Sequence, residues 1–251
     1  MHPARIAELL EPYLGPPEAG SLRPEVLPRI STYIDLLQRW NARVNLTAIR
    51  DEEEIVTRHF GESFFAARHL FPELASERRT TNDSQQNRVN QLEDKGAFPP
   101  VQANEHRRTA NAATSVADVG SGAGFPGIPL KLWAPEISLT LIESNHKKAT
   151  FLKELTRALT LTDINIQTAR AETLPPSSFD VVTLRAVERF ETILPVAARL
   201  VAPAGRLALL IGSAQYSIAQ AILPSLTWAP LVPIPNSQAR VLAVATCPAS
   251  I

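Results

Sequence analysis

The chain is poor in cysteine and in long apolar runs, and each absence excludes a class of protein. Its single cysteine, Cys247, excludes an internal disulfide and any zinc site built from clustered cysteines. No apolar run approaches about eighteen residues, so no membrane-spanning helix is expected. The amino-terminal stretch MHPARIAELLEPYL contains acids and no uninterrupted apolar region, which is not typical of a secretion signal. These absences predict a cytoplasmic protein without a metal site.

The chain also lacks an excess of either charge. It has 25 basic and 25 acidic side chains among 251 residues, which gives a formal net charge of zero. Phosphate contacts need local positive charge, so an RNA partner would require a local arrangement of arginines or the surface of another partner. The length and the hydrophobic content of 45% suit one α/β domain with a small helical addition.

The most informative stretch is Val116–Pro129, with the sequence VADVGSGAGFPGIP. A short apolar run ending at Asp118 predicts a buried strand, and the glycines after it predict a tight turn that opens a helix. Such a turn presents backbone N–H groups to a nucleotide-like ligand. Glycine is needed there because a Cβ atom would block the ligand and disfavour positive φ.

The glycine turn alone leaves three interpretations open. Gly122, Gly124 and Gly127 match GxGxxG, which is weak evidence for a nicotinamide or flavin enzyme. The glycine that closes the strand is Gly120, however, and the sixth position counted from it is Phe125. An acid at the strand end followed by GxGxG is instead similar to the S-adenosylmethionine site of class I methyltransferases. The third interpretation is a purely structural turn.

The composition predicts three units along the chain. Residues 1–75 form an N-terminal helical cap, in which Asp51 caps the last helix. Residues 76–115 have few apolar side chains and no period, which is typical of a long disordered insertion. Residues 116–251 form the α/β domain. The helices of the cap are expected at Ala4–Leu14, Pro24–Trp40 and Glu52 to about Leu70.

Strands and helices alternate after residue 116, which predicts a mainly parallel sheet with the ligand at the carboxyl ends of its strands. A helix over Lys147–Leu159 and another around Leu194–Leu200 separate some of these strands. The last segment, Arg240–Thr246, is expected to be an edge strand. The other strands after the first are expected at Ser138–Ile142, Ile164–Thr168, Phe179–Leu184 and Arg206–Ile211.

Several polar residues are expected at the carboxyl edge of this sheet. Glu143 ends the second strand about twenty residues after the glycine turn, where a carboxylate accepts ribose hydroxyls in both nicotinamide and S-adenosylmethionine folds. Ala171 and Glu172 follow the third strand, where a class I methyltransferase holds adenine. Arg185 ends the fourth strand and could pair with the methionine carboxylate or a phosphate, or form a structural salt bridge.

Two absences narrow the reaction. No Asn/Asp-Pro-Pro-aromatic tetrapeptide follows the fourth strand, which disfavours methylation of an exocyclic amine, and no cysteine near the sheet edge supports covalent C5 methylation. A ring nitrogen such as guanine N7 has a free lone pair and no proton to lose. The enzyme would mainly align it with the methyl group, which explains why no catalytic acid or base can be assigned.

Five blocks in order resemble the bacterial RsmG (GidB) family of small-subunit ribosomal RNA guanine-N7 methyltransferases. They are WNARVNLTAIRDEEEIVTRHFGESF (Trp40–Phe64), ADVGSGAGFPGIPLKLWAPE (Ala117–Glu136), LIESNHKKATFLKEL (Leu141–Leu155), RAETL (Arg170–Leu174) and FDVVTLRAV (Phe179–Val187). The resemblance implies a Rossmann-like class I methyltransferase with a mainly parallel seven-stranded sheet. It implies methylation of the 527-position guanine of the 530 loop in 16S ribosomal RNA, with the small subunit as partner and S-adenosylmethionine as cofactor.

The resemblance also implies roles for individual residues. Gly120, Phe125, the Ala171–Glu172 pair and Arg185 would contact the cofactor, together with the Gly122 and Glu143 inferred above. We expect a monomer. Four residues of the cap are expected to shape the RNA side of the cleft: Asn45, Thr47, Arg58 and His59.

The chain departs from the family pattern in three places. The family usually has a lysine beside the glycine after the fifth strand, where this chain has Leu210-Ile211-Gly212, and the family's basic chain end is replaced by Thr246-Cys247-Pro248. The insertion is also longer than expected. Two alternatives stay open: an NAD(P)-dependent oxidoreductase, which the Gly122-Gly124-Gly127 match suggests, and a non-catalytic assembly factor that binds ribosomal RNA and keeps the cofactor pocket, which the missing lysine suggests.

Overall fold

The computed structural model describes residues 1–15, 22–72, 113–185 and 189–249. None of the helices in these ranges combines the length and the apolar character that a membrane span requires. The helices are α1 (Pro3–Leu14), α2 (Val26–Asn41), α3 (residues 52–70), α4 (Gly127–Trp133), α5 (His146–Ala158), α6 (Phe190–Leu200) and α7 (Ala214–Ile222). The strands are β1 (Ser115–Val119), β2 (Ser138–Ile142), β3 (Ile164–Gln167), β4 (Phe179–Arg185), β5 (Val201–Gly212), β6 (Thr227–Trp228), β7 (Val232–Pro233) and β8 (Arg240–Thr246).

The strands form one mainly parallel sheet in the order β3-β2-β1-β4-β5-β8-β6, and β7 also pairs with β8. Strands β3, β2, β1, β4 and β5 are parallel, whereas β8 is antiparallel to β5. The short β6 and β7 pair with successive parts of β8, so the described strands occupy seven positions. The α/β prediction is confirmed.

The prediction that Arg240–Thr246 is an edge strand was wrong. This strand, β8, lies inside the sheet, between β5 on one side and β6 and β7 on the other. The edge consists of two pairs of residues, those of β6 and β7, from the proline-rich segment of residues 224–235 before it. Because proline cannot donate to a strand ladder, that segment gave no recognisable strand pattern.

The N-terminal helices share one apolar core with one face of the sheet. Ile30, Tyr33 and Phe60 of the cap belong to the same buried cluster as Leu141 and Phe151 of the α/β unit. A second cluster lies on the other face, beneath α6 and α7. The cap therefore packs directly on the sheet. The predicted unit boundaries at 75/76 and 115/116 stay predictions, and nearly all of the predicted insertion lies outside the described residues.

Helix α3 begins as predicted and then changes its winding. The carboxylate of Asp51 accepts a hydrogen bond from the Glu54 amide at 2.8 Å, as an N-cap does. The helix is α-helical over Glu52–Glu54, π-helical over Ile55–Gly61 and α-helical again over Glu62–Leu70. A π-helical turn has no sequence signature of its own and is frequent at functional sites. It carries Arg58 and His59, which the sequence placed in an ordinary helix.

The buried carboxylate of Asp118 joins two strands to the helix after the glycine turn. Its Oδ1 accepts from the Thr183 hydroxyl of β4 at 2.9 Å, and its Oδ2 accepts from the Gly127 amide of α4 at 3.2 Å. Burial raises the pKa of Asp118 from its ordinary 3.8 to about 6, although these hydrogen bonds act in the opposite direction. The folded protein therefore holds a proton on Asp118 more tightly than the unfolded chain does.

We expect this group to make the folded state more stable as the pH falls from about 6 towards 4. Between the two pKa values the folded state binds more protons, so the contribution is complete below about pH 4 and is lost as the pH rises through about 6. Its full size is about 3 kcal/mol. Urea unfolding of the wild type and of Asp118→Asn at several pH values measures it. The stability difference between them should shift in favour of the wild type on acidification, and a constant difference would contradict this account.

Candidate functional site

The carboxyl ends of three neighbouring strands bring the predicted site residues to one edge. Val119 of β1 pairs with Ile142 of β2 and with Leu184 of β4. The next residues along the three strands therefore lie at the same level: Gly120 and Glu143 directly follow β1 and β2, and Arg185 is the last residue of β4. The beginning of β8 reaches this edge as well, because Arg240 pairs with Gly212 at the end of β5.

The first part of the glycine turn forms a cradle for a ligand. Gly120 and Gly122 have φ values of 69° and 54°, which favour glycine. The Gly122 amide donates to Glu143 Oε2 at 2.9 Å, and the Asn145 amide donates to Glu143 Oε1 at 2.7 Å. A Cβ atom on Gly122 would meet nothing nearer than the Gly120 carbonyl oxygen at 3.7 Å. The space above Gly122 is open, so a ligand can approach the backbone there.

Packing explains the other glycines of the turn. A Cβ atom on Gly124, whose φ is 91°, would lie 2.5 Å from the Tyr33 hydroxyl oxygen. A Cβ atom on Gly127 would lie 2.6 Å from Leu141 Cδ2. Two of the three glycines in the GxGxxG match are therefore required without any ligand, and the match itself gives no evidence for a dinucleotide.

Phe125 joins the cap to the glycine turn. Its ring stacks on Tyr33 at a centroid distance of 5.0 Å and on His59 at 4.7 Å. The Tyr33 hydroxyl also donates to the Ala123 carbonyl. Because Phe125 is only 5% exposed, it can offer a ligand only a small part of its surface. Its contact with the cofactor stays a prediction.

His59 is buried and neutral at this edge. Its Nε2 lies 2.8 Å from Thr47 Oγ1, and the same oxygen accepts from the Ile49 amide at 3.1 Å. Burial, with smaller contributions from nearby arginines, lowers the pKa of His59 to about 2. A histidine with so low a pKa is a poor general base at neutral pH. The expected roles of Thr47, His59, Asn45 and Arg58 towards RNA stay predictions.

One buried carboxylate that the sequence analysis missed binds two arginines. Glu62 lies on α3. Its Oε2 is 3.1 Å from Arg185 Nη2, and its Oε1 is 2.9 Å from Arg240 Nε. Arg185 Nη2 also donates to the Arg58 carbonyl at 2.7 Å. Arg185 therefore makes a structural salt bridge, one of the two roles expected for it, and its role towards the cofactor stays a prediction. Glu62 and Arg185 are 123 positions apart in the chain, so no local pattern could reveal the pair.

The loop after β3 is held in place by an arginine of α6. Ala171 and Glu172 lie in a 3₁₀ turn, with Ala171 buried and Glu172 exposed. Arg199 Nη2 donates to the carbonyls of Glu172 at 3.0 Å and Leu174 at 2.9 Å. The turn lies at the same edge, and its role in holding adenine stays a prediction. No group of three or more His, Cys, Asp or Glu side chains in the described ranges could hold a metal ion.

Comparison with solved structures finds a SAM-dependent methyltransferase from Aquifex aeolicus. It is 17% identical with a TM-score of 0.45, over 53% of this chain and 81% of that chain. A likeness of this size is too low to support a functional argument. The sequence relatives are much more similar.

Two curated relatives carry the name Ribosomal RNA small subunit methyltransferase G. The protein of Halorhodospira halophila is 36% identical over 186 residues, which is 74% of this chain and 69% of the relative. The protein of Stenotrophomonas maltophilia strain K279a is 34% identical over 204 residues, which is 81% of this chain and 76% of the relative. The family model described as GidB, rRNA small subunit methyltransferase G, matches residues 27–78 and 73–221, which include nearly all of α2, all of α3 and strands β1 to β5. The resemblance predicted from the sequence is confirmed, and the chain belongs to the GidB family.

Proposed function

We propose that this protein transfers a methyl group from S-adenosylmethionine to N7 of a guanine in the 16S ribosomal RNA of the small subunit. The family match, which extends from helix α2 of the cap to strand β5 and helix α7, is the observation that carries this proposal. The relatives whose names specify the small-subunit RNA are 31 to 36% identical to this chain.

The residues at the sheet edge fit the cofactor. The open space above Gly122 would let the methionine part of the cofactor lie against the backbone of the turn. The carboxylate of Glu143 would receive the ribose hydroxyls, and the turn at Ala171 and Glu172 would border the adenine. When bound, the cofactor supplies an electrophilic methyl group on its sulfonium sulfur. Arg185, held by Glu62, would lie beside the methionine end.

The chemistry of guanine N7 suits a site whose titratable groups are already engaged. Asp118 is fully buried and bonded to Thr183 and Gly127, and His59 is neutral and bonded to Thr47. Neither is placed to remove a proton, and N7 carries none. The residues of the site therefore act by orienting the base and the cofactor and by excluding water.

The two alternatives have less support. The comparisons give none to an oxidoreductase, and packing accounts for most of the glycine match that suggested one. The assembly-factor alternative rests on the missing lysine before Gly212 and predicts cofactor binding without methyl transfer. A cytoplasmic location and a monomeric state remain predictions from the sequence.

Methyl transfer from labelled S-adenosylmethionine to small subunits that lack the native N7 methyl tests the proposal. We expect label at one guanine of the decoding-centre loop, located by chain cleavage specific for N7-methylguanine. Binding of S-adenosylhomocysteine and of NADH is measured in parallel. Binding of the first without any labelled RNA would favour the non-catalytic alternative, and binding of NADH alone would favour the oxidoreductase.

A graded pair of substitutions at Gly122 tests where the cofactor binds. Gly122→Val should weaken S-adenosylhomocysteine binding by roughly a hundredfold, because the branched side chain fills the space of the ligand. Gly122→Ala should weaken it less, since it adds a single carbon. Titration calorimetry gives the affinities, and a thermal melt checks that both variants fold. Unchanged affinity in the folded Val variant would place the cofactor elsewhere.

A further inference from the structure

The buried ion cluster at the sheet edge contains more positive than negative charge. Two guanidinium groups, those of Arg185 and Arg240, share the single carboxylate of Glu62. The other buried carboxylates of this edge are bonded elsewhere: Asp118 to Thr183 and Gly127, and Glu143 to two backbone amides. A guanidinium without its own counter-ion is a natural site for an anion.

The two arginines differ in their access to solvent. The side chain of Arg185 is 7% exposed and that of Glu62 only 3%, whereas the side chain of Arg240 is 23% exposed. Arg185 uses Nε and Nη2 on Glu62 and Nη2 on the Arg58 carbonyl. Arg240, the first residue of β8, contacts Glu62 through Nε and donates from Nη2 to the Leu210 carbonyl. Arg240 is therefore the member of the cluster that can meet an incoming group.

The position of Arg240 in the sheet favours a contact of its side chain with the substrate over one with the cofactor. In the strand order, β8 follows β1, β4 and β5, so its backbone lies about 14 Å from β1 at about 4.8 Å per strand. Apart from Arg185 at the end of β4, the proposed cofactor residues extend the other way, from the glycine turn after β1 to Glu143 after β2 and Ala171 after β3. The RNA must approach from the side that the cofactor leaves open.

The charged groups around Arg240 favour the binding of an anion to its guanidinium. His59 beside the cluster is neutral, and Arg58 is engaged with Glu54 at 2.8 Å on the surface of α3. Arg240 is anchored by Glu62, so its planar group loses little freedom when it binds a second oxyanion. We propose that Arg240 binds a backbone phosphate of the RNA next to the target guanine, and that Glu62 holds it in position. This inference rests on the proposed function.

Arg240→Gln tests it, because Glu62 keeps Arg185 as a partner and the variant should fold. Arg240→Lys keeps the charge without the planar fork. Arg157→Gln, at the far end of α5 and the opposite edge of the sheet, is the matched control for loss of one surface charge. The first measurement is equilibrium binding of a fluorescent decoding-loop RNA fragment from 50 to 300 mM salt, with S-adenosylhomocysteine present. The affinities for S-adenosylhomocysteine and for 5′-methylthioadenosine are measured separately. The melting temperature checks that each variant folds.

We expect Arg240→Gln to bind the RNA about tenfold more weakly at low salt. The slope of log affinity against log salt should become less steep by about one unit, and the affinity for S-adenosylhomocysteine should not change. Arg240→Lys should keep most of the salt slope, and Arg157→Gln should keep both slope and affinity.

Three results would overturn the inference. Weaker binding of S-adenosylhomocysteine with unchanged binding of 5′-methylthioadenosine, which lacks the carboxylate, would assign Arg240 to the cofactor. A lower melting temperature with an unchanged salt slope would make the ion cluster structural only. Absence of RNA binding by the wild type would overturn it as well. A different result would show that the proposed function fails: the wild type would bind the RNA but transfer no methyl group to it.

Discussion

The carboxylate of Glu62 connects the helical cap to the edge of the sheet at which β4 ends and β8 begins. It lies on α3 directly after the π-helical turn and holds one arginine from the end of β4 and one from the start of β8. Loss of Glu62 would leave the buried guanidinium of Arg185 without its counter-ion, which is strongly destabilising, so this contact fixes how the cap lies over the strand ends. The stack of Tyr33, Phe125 and His59 adds a second connection, from the cap to the glycine turn.

The sequence predicted those features that depend on local patterns. The strand at Ser138–Ile142 has the predicted bounds, and Asp51 caps its helix, because apolar period and capping chemistry act within a few residues. Contacts across the chain were not predictable in this way. Glu62 with Arg185, and Arg199 with the loop after β3, depend on the register of elements that meet only in the folded sheet. Strand β8 was misplaced at the edge because the two short strands that cover it come from a segment without a recognisable strand pattern.

The neutral net charge of the chain is compatible with an RNA substrate because the charges are not evenly placed. Three arginines near the site lower the pKa of His59 by their positive charge: Arg58, Arg185 and Arg240. The carboxylates nearest to them already bond to groups within the protein. A local group of positive charges of this kind attracts phosphate even when the net charge of the protein is zero. The lysine that the family usually has before the glycine of β5 is absent, but Arg240 pairs with that glycine in the sheet.

We propose that the cofactor binds at the edge formed by the glycine turn and the ends of β1, β2 and β3, beneath the cap. A crystal structure of the protein with S-adenosylhomocysteine tests this placement. We expect the sulfur above the backbone of Gly120 and Gly122, the ribose hydroxyls within hydrogen-bonding distance of Glu143, and the adenine beside Ala171. Density for the ligand at any other place, with the space above Gly122 filled by water, would contradict it.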